Sequence, residues 1–215
     1  MRSSLIDGTE LTGARWAFEL DVIDFEPYRR REKTLQELAE GLAVGDLARL
    51  TNEMCDRQLE LVRPAEDPDV TFVPEDSEAD DPFAASADEE HIAWTLGHVV
   101  VHATASSEEA AAHALTLARG LEVQGRSRHE VPWRQATTAR FLRSRIDESR
   151  RMRLAMLAAW PDEPHLDVLY QSNPKRPPVN AVGRFLGGLA HDDSHLPQIT
   201  KVLTQAQAAR ARAQV

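Results

Sequence analysis

Cysteine is almost absent from this chain of 215 residues, which contains only Cys55. A single cysteine cannot form an intrachain disulfide, and it excludes zinc and iron–sulfur sites built from several thiolates. Aromatic residues are also scarce, at 6% of the chain, whereas alanine, leucine, arginine and glutamate abound. This composition favours helices over sheets.

Positive charge is in deficit, because 25 basic residues stand against 35 acidic ones and the net charge is −10. A chain that binds nucleic acid normally carries the opposite sign or a basic stripe. The basic runs, YRRREK and RSRIDESRRMR, are interleaved with acidic residues or lie in predicted helices. We therefore expect no nucleic-acid partner.

Long apolar runs are missing as well. The N-terminal segment MRSSLIDGTELTGARW lacks the apolar stretch of a secretory signal, and no later run approaches the length that spans a bilayer. We expect a cytoplasmic protein that does not enter a membrane.

Apolar residues recur at helical spacing in four long segments. These segments are residues 47–62, 91–119, 134–160 and 181–210. Asp46 and Asn180 are predicted N-caps, and Gly120 and Pro161 follow the second and third helices. The pattern predicts an all-α fold, and a four-helix bundle is the simplest packing of four such helices.

The rest of the chain is predicted to belong to the same single domain as the four helices. Residues 1–45 form an N-terminal extension packed on the bundle, which occupies residues 46–210. Residues 64–90 contain four prolines and a dense acidic run, PEDSEADDPFAASADEE. Because these carboxylates follow no calcium-loop spacing, we expect a solvated acidic loop before the second bundle helix.

Two histidines, His191 and His195, lie in the stretch LAHDDSHLPQI. Their spacing of four places both imidazoles on one helical face, at the border of the apolar ridge. Gly187 and Gly188 flank the pair and are predicted to leave space beside it. Asp192 stands where H-E-x-x-H proteases carry glutamate, so the pair alone predicts either two metal ligands awaiting a third or two polar surface residues.

The second helix is the best source of a third ligand, since four histidines and a glutamate share one arc of it. They are His91, His98, His102, His113 and Glu109. The competing interpretation is that this stripe is simply the polar face of the helix.

For the remaining polar residues we expect ordinary roles. His113 is predicted to face solvent, as are Glu108 and Glu109. His129 and His165 fall in loops, and His91 near a helix start. Asp192 and Asp193 are predicted either to orient the imidazoles or to be solvated.

Two motifs, WTLGHVVVHATASSEEA in the second helix and HDDSHLPQI in the fourth, resemble the DinB-like superfamily. Its members are metal-binding four-helix bundles that include YfiT-type proteins and bacillithiol- and mycothiol-dependent S-transferases. The family motif begins with a Trp-Ser/Thr pair and has a histidine eight residues after the tryptophan. It continues in the last helix with two histidines and Leu-x-Gln-Ile. The matching residues here are Trp94, Thr95, His102, His191, His195, Leu196, Gln198 and Ile199.

The resemblance implies that His102, His191 and His195 form a histidine triad around a divalent metal ion. Zinc or nickel is expected first, with iron or manganese as alternatives. His98, one turn before His102, is the alternative third ligand or a residue that supports a ligand.

The resemblance also implies a metal-dependent transferase that activates a low-molecular-weight thiol, as cosubstrate, or water towards a small-molecule substrate. The alternatives are a metal-dependent hydrolase, a non-catalytic metal- or ligand-binding module of a stress response, and a metal-free helical interaction protein. No catalytic residue is predicted. A homodimer is compatible with the resemblance.

Overall fold

The computed structural model describes residues 23–77, 79–80, 89–125 and 132–213. Residues 1–22 of the predicted extension, residues 81–88 of the acidic segment, and His129 lie outside the described residues. Apart from an isolated antiparallel bridge between Tyr170 and Val179, the described residues form no β-structure.

The regular structure of the described residues is helical, which confirms the predicted all-α class. The α-helices are α1 (Glu26–Arg29), α2 (Leu35–Leu38), α3 (Val44–Val62), α4 (Asp67–Thr71), α5 (Leu96–Ala118), α6 (Ala139–Ala158) and α7 (Ala181–Ala213). Among the long helices, α5 packs on both α6 and α7, and α3 packs on the same two helices. Their apolar faces, with residues such as Leu50, Leu117 and Leu186, form the core.

Two of the long helices begin five residues later than the periodicity predicts. Helix α5 starts at Leu96 because the side chain of Thr95 accepts the backbone N–H of His98 (3.2 Å). Helix α6 starts at Ala139, where the side chain of Thr138 accepts the N–H of Phe141 (3.1 Å). In both cases, therefore, the first turn of the predicted segment is not part of the α-helix.

Other predicted helix signals have mixed outcomes. Asn180 caps α7 as predicted, since its Oδ1 accepts the N–H of Gly183 (3.1 Å). Gly120 has the expected left-handed conformation (φ 78°) after α5. Asp46 is not the N-cap of α3: it lies in the first turn, and its carboxylate accepts the N–H of Ala43 (3.0 Å).

Part of the predicted acidic loop is folded. Helix α4 lies within residues 64–90 and packs against α5, α6 and α7. Val70 is fully buried, and the buried Asp69 accepts the backbone N–H of Glu66 (2.9 Å). Asp69 also forms an ion pair with Arg210 of α7 (3.3 Å). The carboxylate is therefore used structurally, which the prediction of a solvated loop missed.

The segment before α3 packs against α7. Helix α2 contacts α7, and the side chain of Gln36 accepts the backbone N–H of Asn180 (2.9 Å) at the start of that helix. Arg29 of α1 forms an ion pair with Asp193 of α7. Across the described residues, the helices are too short or too polar to cross a membrane.

Candidate metal centre

Three histidines from two helices point their Nε2 atoms at one place. His102 lies on α5, and His191 and His195 lie one turn apart on α7. The Nε2 of His191 is 3.2 Å from that of His102 and 3.3 Å from that of His195. One ligand atom of each residue lies within 4.8 Å of the others, and all three side chains are half-buried.

These separations suit a tetrahedral ion. Two nitrogens bound at about 2.0–2.1 Å with a tetrahedral angle lie about 3.3 Å apart. The distances from His191 to its two neighbours match that value. Three neutral imidazoles form a donor set that suits zinc, nickel, copper and iron. The His102–His191–His195 group could therefore hold a divalent ion, with a fourth position left for another ligand.

Gln198 fixes the orientation of one imidazole. The Nδ1 of His195 lies 2.7 Å from the side-chain oxygen of Gln198, one turn further along α7. Since that oxygen only accepts, Nδ1 carries the proton and the Nε2 lone pair faces the other histidines. Burial lowers the pKa of His195, against smaller opposing effects of Gln198 and Asp192. The ring is therefore held in the neutral form that binds metals.

An aromatic wall covers one side of the triad. The Trp94 ring lies 4.6 Å from the His102 ring and 6.1 Å from that of His195. His98 is stacked between Trp94 (4.4 Å) and Trp133 (4.6 Å), almost parallel to the latter. The structure thus brings His102 into the metal-capable group and places His98 in the stack beside it. Sequence reasoning missed Trp133, because a short 3-10 turn, Trp133–Gln135, brings it there from outside both motifs.

Asp192, between the two α7 histidines in sequence, is fully buried, so the predicted solvation is wrong. Its carboxylate accepts hydrogen bonds from Arg153 of α6 (2.7 Å) and Ser107 of α5 (2.7 Å). Arg153 also donates to the Sγ of Cys55 on α3 (2.8 Å). Burial is the largest effect on Arg153 and opposes its charge, but Asp192 together with Cys55 and Glu108 outweighs burial, and the net effect raises the arginine pKa. This buried cluster joins all four long helices.

Cys55 belongs to that buried cluster and not to the triad. Its side chain is fully buried, and burial raises the pKa of its thiol despite the nearby Arg153. A thiol that is neutral and shielded from solvent is a poor nucleophile.

The predicted solvent-facing stripe on α5 is wrong at three positions. Glu108 is buried and forms an ion pair with Arg145 of α6. The side chains of Glu109 and His113 are only 10% and 5% exposed. His113 is covered by Tyr170, whose ring lies 5.3 Å away, because the segment that follows α6 folds back over α5. His91 and His165, by contrast, are exposed; His165 lies in a loop as predicted, and His91 lies five residues before the start of α5.

The two glycines beside the α7 histidines do different things. A Cβ on Gly188 would lie 2.8 Å from the Cβ of Ala110 and 3.2 Å from the Cα of Ser107, so this glycine lets α5 approach α7 closely. A Cβ on Gly187 would meet only side-chain atoms of Leu35 and Arg184, at 3.3 and 3.8 Å. Neither glycine therefore has open space in place of its side chain, since Gly188 packs against α5 and Gly187 against Leu35.

Gly187 lies in the wall of a cleft of about 990 Å³. The cleft runs along α7 between α5, the α1–α2 segment and the segment around Tyr170. His191 and Ser194 line one end of it, so the triad borders the cleft through His191.

A second metal-capable group among the described residues consists of Asp80, Glu90 and His91. Two of its members are exposed, and clusters of exposed carboxylates are ordinary surface features.

No protein-family model, curated protein or solved structure matches the chain.

Proposed function

We propose that the chain binds one divalent metal ion through His102, His191 and His195 and is a metal-dependent transferase of the DinB-like kind. The observation that carries the proposal is the convergence of three Nε2 atoms at distances that fit tetrahedral coordination. Zinc or nickel is the proposed ion, with iron or manganese as alternatives.

Such an ion supplies Lewis acidity and lowers the pKa of a thiol or water that binds at its open position. The chain supplies the rest. Gln198 holds the His195 ring in one tautomer, and the Trp94 ring packs against His102 and His195. The cleft at His191 admits the substrate.

The charges around the triad favour a thiol nucleophile over water. Attack by water gains from a general base, whereas a thiol needs only to lose its proton. The carboxylates nearest in sequence to the ligands are engaged elsewhere: Glu108 with Arg145, Asp192 with Arg153, and Asp193 with Arg29. Since Cys55 is buried, the thiol would be a cosubstrate.

The packing of the long helices supports the proposed four-helix bundle. Each of α3 and α5 contacts α6 and α7, as in a closed ring of four helices. Both helices that carry the triad are neighbours in that ring, which is how bundle metal sites are built from facing helices.

Metal analysis of protein purified without a polyhistidine tag tests the site. We expect one equivalent of a divalent metal in the wild type and a loss of it in His191→Ala. His91→Ala is the matched control, because it removes an exposed histidine from the second metal-capable group. Full retention of metal by His191→Ala, or its loss from His91→Ala alone, would contradict the proposal.

A screen of thiol transfer tests the reaction. Metal-loaded protein is assayed with bacillithiol, mycothiol and glutathione against electrophiles and, separately, for ester hydrolysis. Metal-dependent thiol transfer that is absent from His191→Ala supports the transferase. Hydrolysis without thiol transfer would show a metal-dependent hydrolase instead, and no turnover with metal bound would show a binding module.

A further inference from the structure

The cleft that ends at His191 is basic, although the protein is acidic. Six cationic side chains line it: Arg29, Arg31, Lys33, Lys175, Arg176 and Arg184. Only three carboxylates do so, those of Glu32, Glu37 and Glu109. In a chain of net charge −10, this local excess of positive charge attracts anions to one place.

Arg184 is the most buried cation of that cleft. One of its Nη atoms lies 3.3 Å from the Nδ1 of His113, and its guanidinium lies 5.3 Å from the centre of the Tyr170 ring. Neither partner is an anion, and its buried Nε has no hydrogen-bond partner among the described residues. Burial lowers the pKa of Arg184, and Tyr170 and Glu109 offset this only in part. Glu109 therefore compensates the charge of Arg184 only in part, and an anionic ligand that accepts from the buried Nε would lower the remaining cost of burial.

Arg184 and His191 share one line of α7. They are seven residues apart, which is two helical turns and a rise of about 10 Å. Gly187 lies between them on the wall of the cleft, and the Nη1 of Arg184 is the polar atom nearest to its missing Cβ, at 3.8 Å. Gly187 therefore adds no side chain to the wall of the cleft between the guanidinium and the imidazole.

We propose that this cleft binds an anionic substrate whose carboxylate or phosphate group pairs with Arg184. Its reactive group lies further along α7, at the part of the cleft that His191 lines. The guanidinium fork suits both kinds of anion. The assignment of a reactive end rests on the proposed function, whereas the anion site at Arg184 does not need a metal.

Calorimetric titration with succinate and with inorganic phosphate tests the anion site on full-length protein, both treated with chelator and loaded with metal. The wild type should bind at least one anion in both states. Arg184→Gln should weaken that binding by about ten- to hundredfold. Arg184→Lys keeps the charge without the fork and should fall between the two. Arg140→Gln, an exposed charge on α6, is the control and should bind like the wild type.

The same titrations separate this proposal from the proposed function. His191→Ala should lose metal but keep anion binding, and Arg184→Gln should keep metal but lose anion binding. Equal anion binding by Arg184→Gln and the wild type, or none by the wild type, would overturn the cleft proposal whatever the metal content. Anion binding that needs metal and disappears in His191→Ala would place the anion at the triad, which also overturns it.

The spacing is tested with ω-mercaptocarboxylates of increasing length and with mercaptoalcohols of the same lengths, titrated into cobalt(II)-loaded protein and followed by absorbance. The acid should bind more tightly than the alcohol only above the chain length that reaches from the Arg184 guanidinium to the ion, and Arg184→Gln should remove the difference. Gly187→Val adds a side chain to the wall between Arg184 and His191 and should weaken binding of the long acids while the metal stays bound. An advantage of the acids that is independent of length would contradict the spacing.

Discussion

Gln198 holds the Nδ1 proton of His195 through a hydrogen bond of 2.7 Å, so the free electron pair of that ring faces the other two histidines. Contacts of this kind to the far side of a ligand imidazole change metal affinity by about 10- to 100-fold. We expect Gln198→Ala to weaken metal binding by that factor with little effect on folding.

Competition with a chelator of known affinity measures this loss. Thr200→Ala, a change to an exposed residue two positions further along α7, is the control, because Thr200 bonds only to its own helix. If the two variants hold metal equally well, Gln198 has no part in the site.

Arg153 provides the charge that compensates the buried carboxylate of Asp192. Removing one partner of a buried ion pair costs about 3–5 kcal/mol, since the other charge is left unpaired. We expect Arg153→Met to lower the free energy of unfolding by about that amount, as read from urea denaturation.

The matched control is Arg150→Met, one turn earlier on α6. Arg150 pairs with Asp56, whose side chain is 68% exposed, and pairs of this kind contribute about 1 kcal/mol or less. Equal losses in the two variants would mean that the Arg153–Asp192 pair does not stabilise the fold.

At the scale of the elements, the contact between α5 and α7 depends on Gly188. An added methyl would lie 2.8 Å from Ala110 and close to the backbone of Ser107, so the helices must separate. Overpacking costs about 1–3 kcal/mol, which exceeds the roughly 1 kcal/mol that alanine gains over glycine in a helix. Gly188→Ala should therefore be destabilising and, because the triad spans the same two helices, should weaken metal binding.

Gly45 supplies the opposite case. It lies in the first turn of α3, where a Cβ would meet nothing within 4 Å. Gly45→Ala should raise the free energy of unfolding by about 0.5–1 kcal/mol. Urea denaturation of both variants compares them, and a Gly188→Ala protein as stable as Gly45→Ala would show that α5 and α7 are not in close contact.

The helices themselves were predictable because their apolar residues recur at helical spacing, but the starts of α5 and α6 were not. Thr95 and Thr138 each begin a helix by accepting a backbone N–H, and the apolar pattern extends past both of them. Threonine is a common N-cap residue, so both helix starts could have been read from the sequence, but the prediction gave more weight to the apolar periodicity.

The residues of the candidate site were predicted from two kinds of evidence, helical spacing and the family resemblance. The pairing of His191 with His195 follows from their spacing, whereas His102 came only through the family resemblance. The partnership of Asp192 with Arg153 could not be predicted, because the two lie 39 residues apart on different helices. His113 was misjudged because the segment around Tyr170 that covers it has no periodic pattern of its own.

At the scale of the whole molecule, the proposed metal joins α5 to α7 and should stabilise the fold. A ligand at one hundred times its dissociation constant adds about 2.7 kcal/mol, which for a chain of this size raises Tm by about 5–10 °C. Adding a chelator should therefore lower the Tm of the wild type and leave that of His191→Ala unchanged. Calorimetry or circular dichroism measures both, and a chelator-insensitive wild type would contradict metal binding at the triad.

The cleft has two kinds of wall. The metal-capable histidines belong to α5 and α7. The outer wall comes from α1 and α2, which precede α5 in the chain, and from the segment around Tyr170, which lies between α6 and α7. Substitutions in the outer wall leave the histidines and their supporting contacts untouched. If the chain is the proposed transferase, its substrate preference can therefore diverge during evolution, or be re-engineered, by exchange of peripheral segments around an unchanged metal-binding triad.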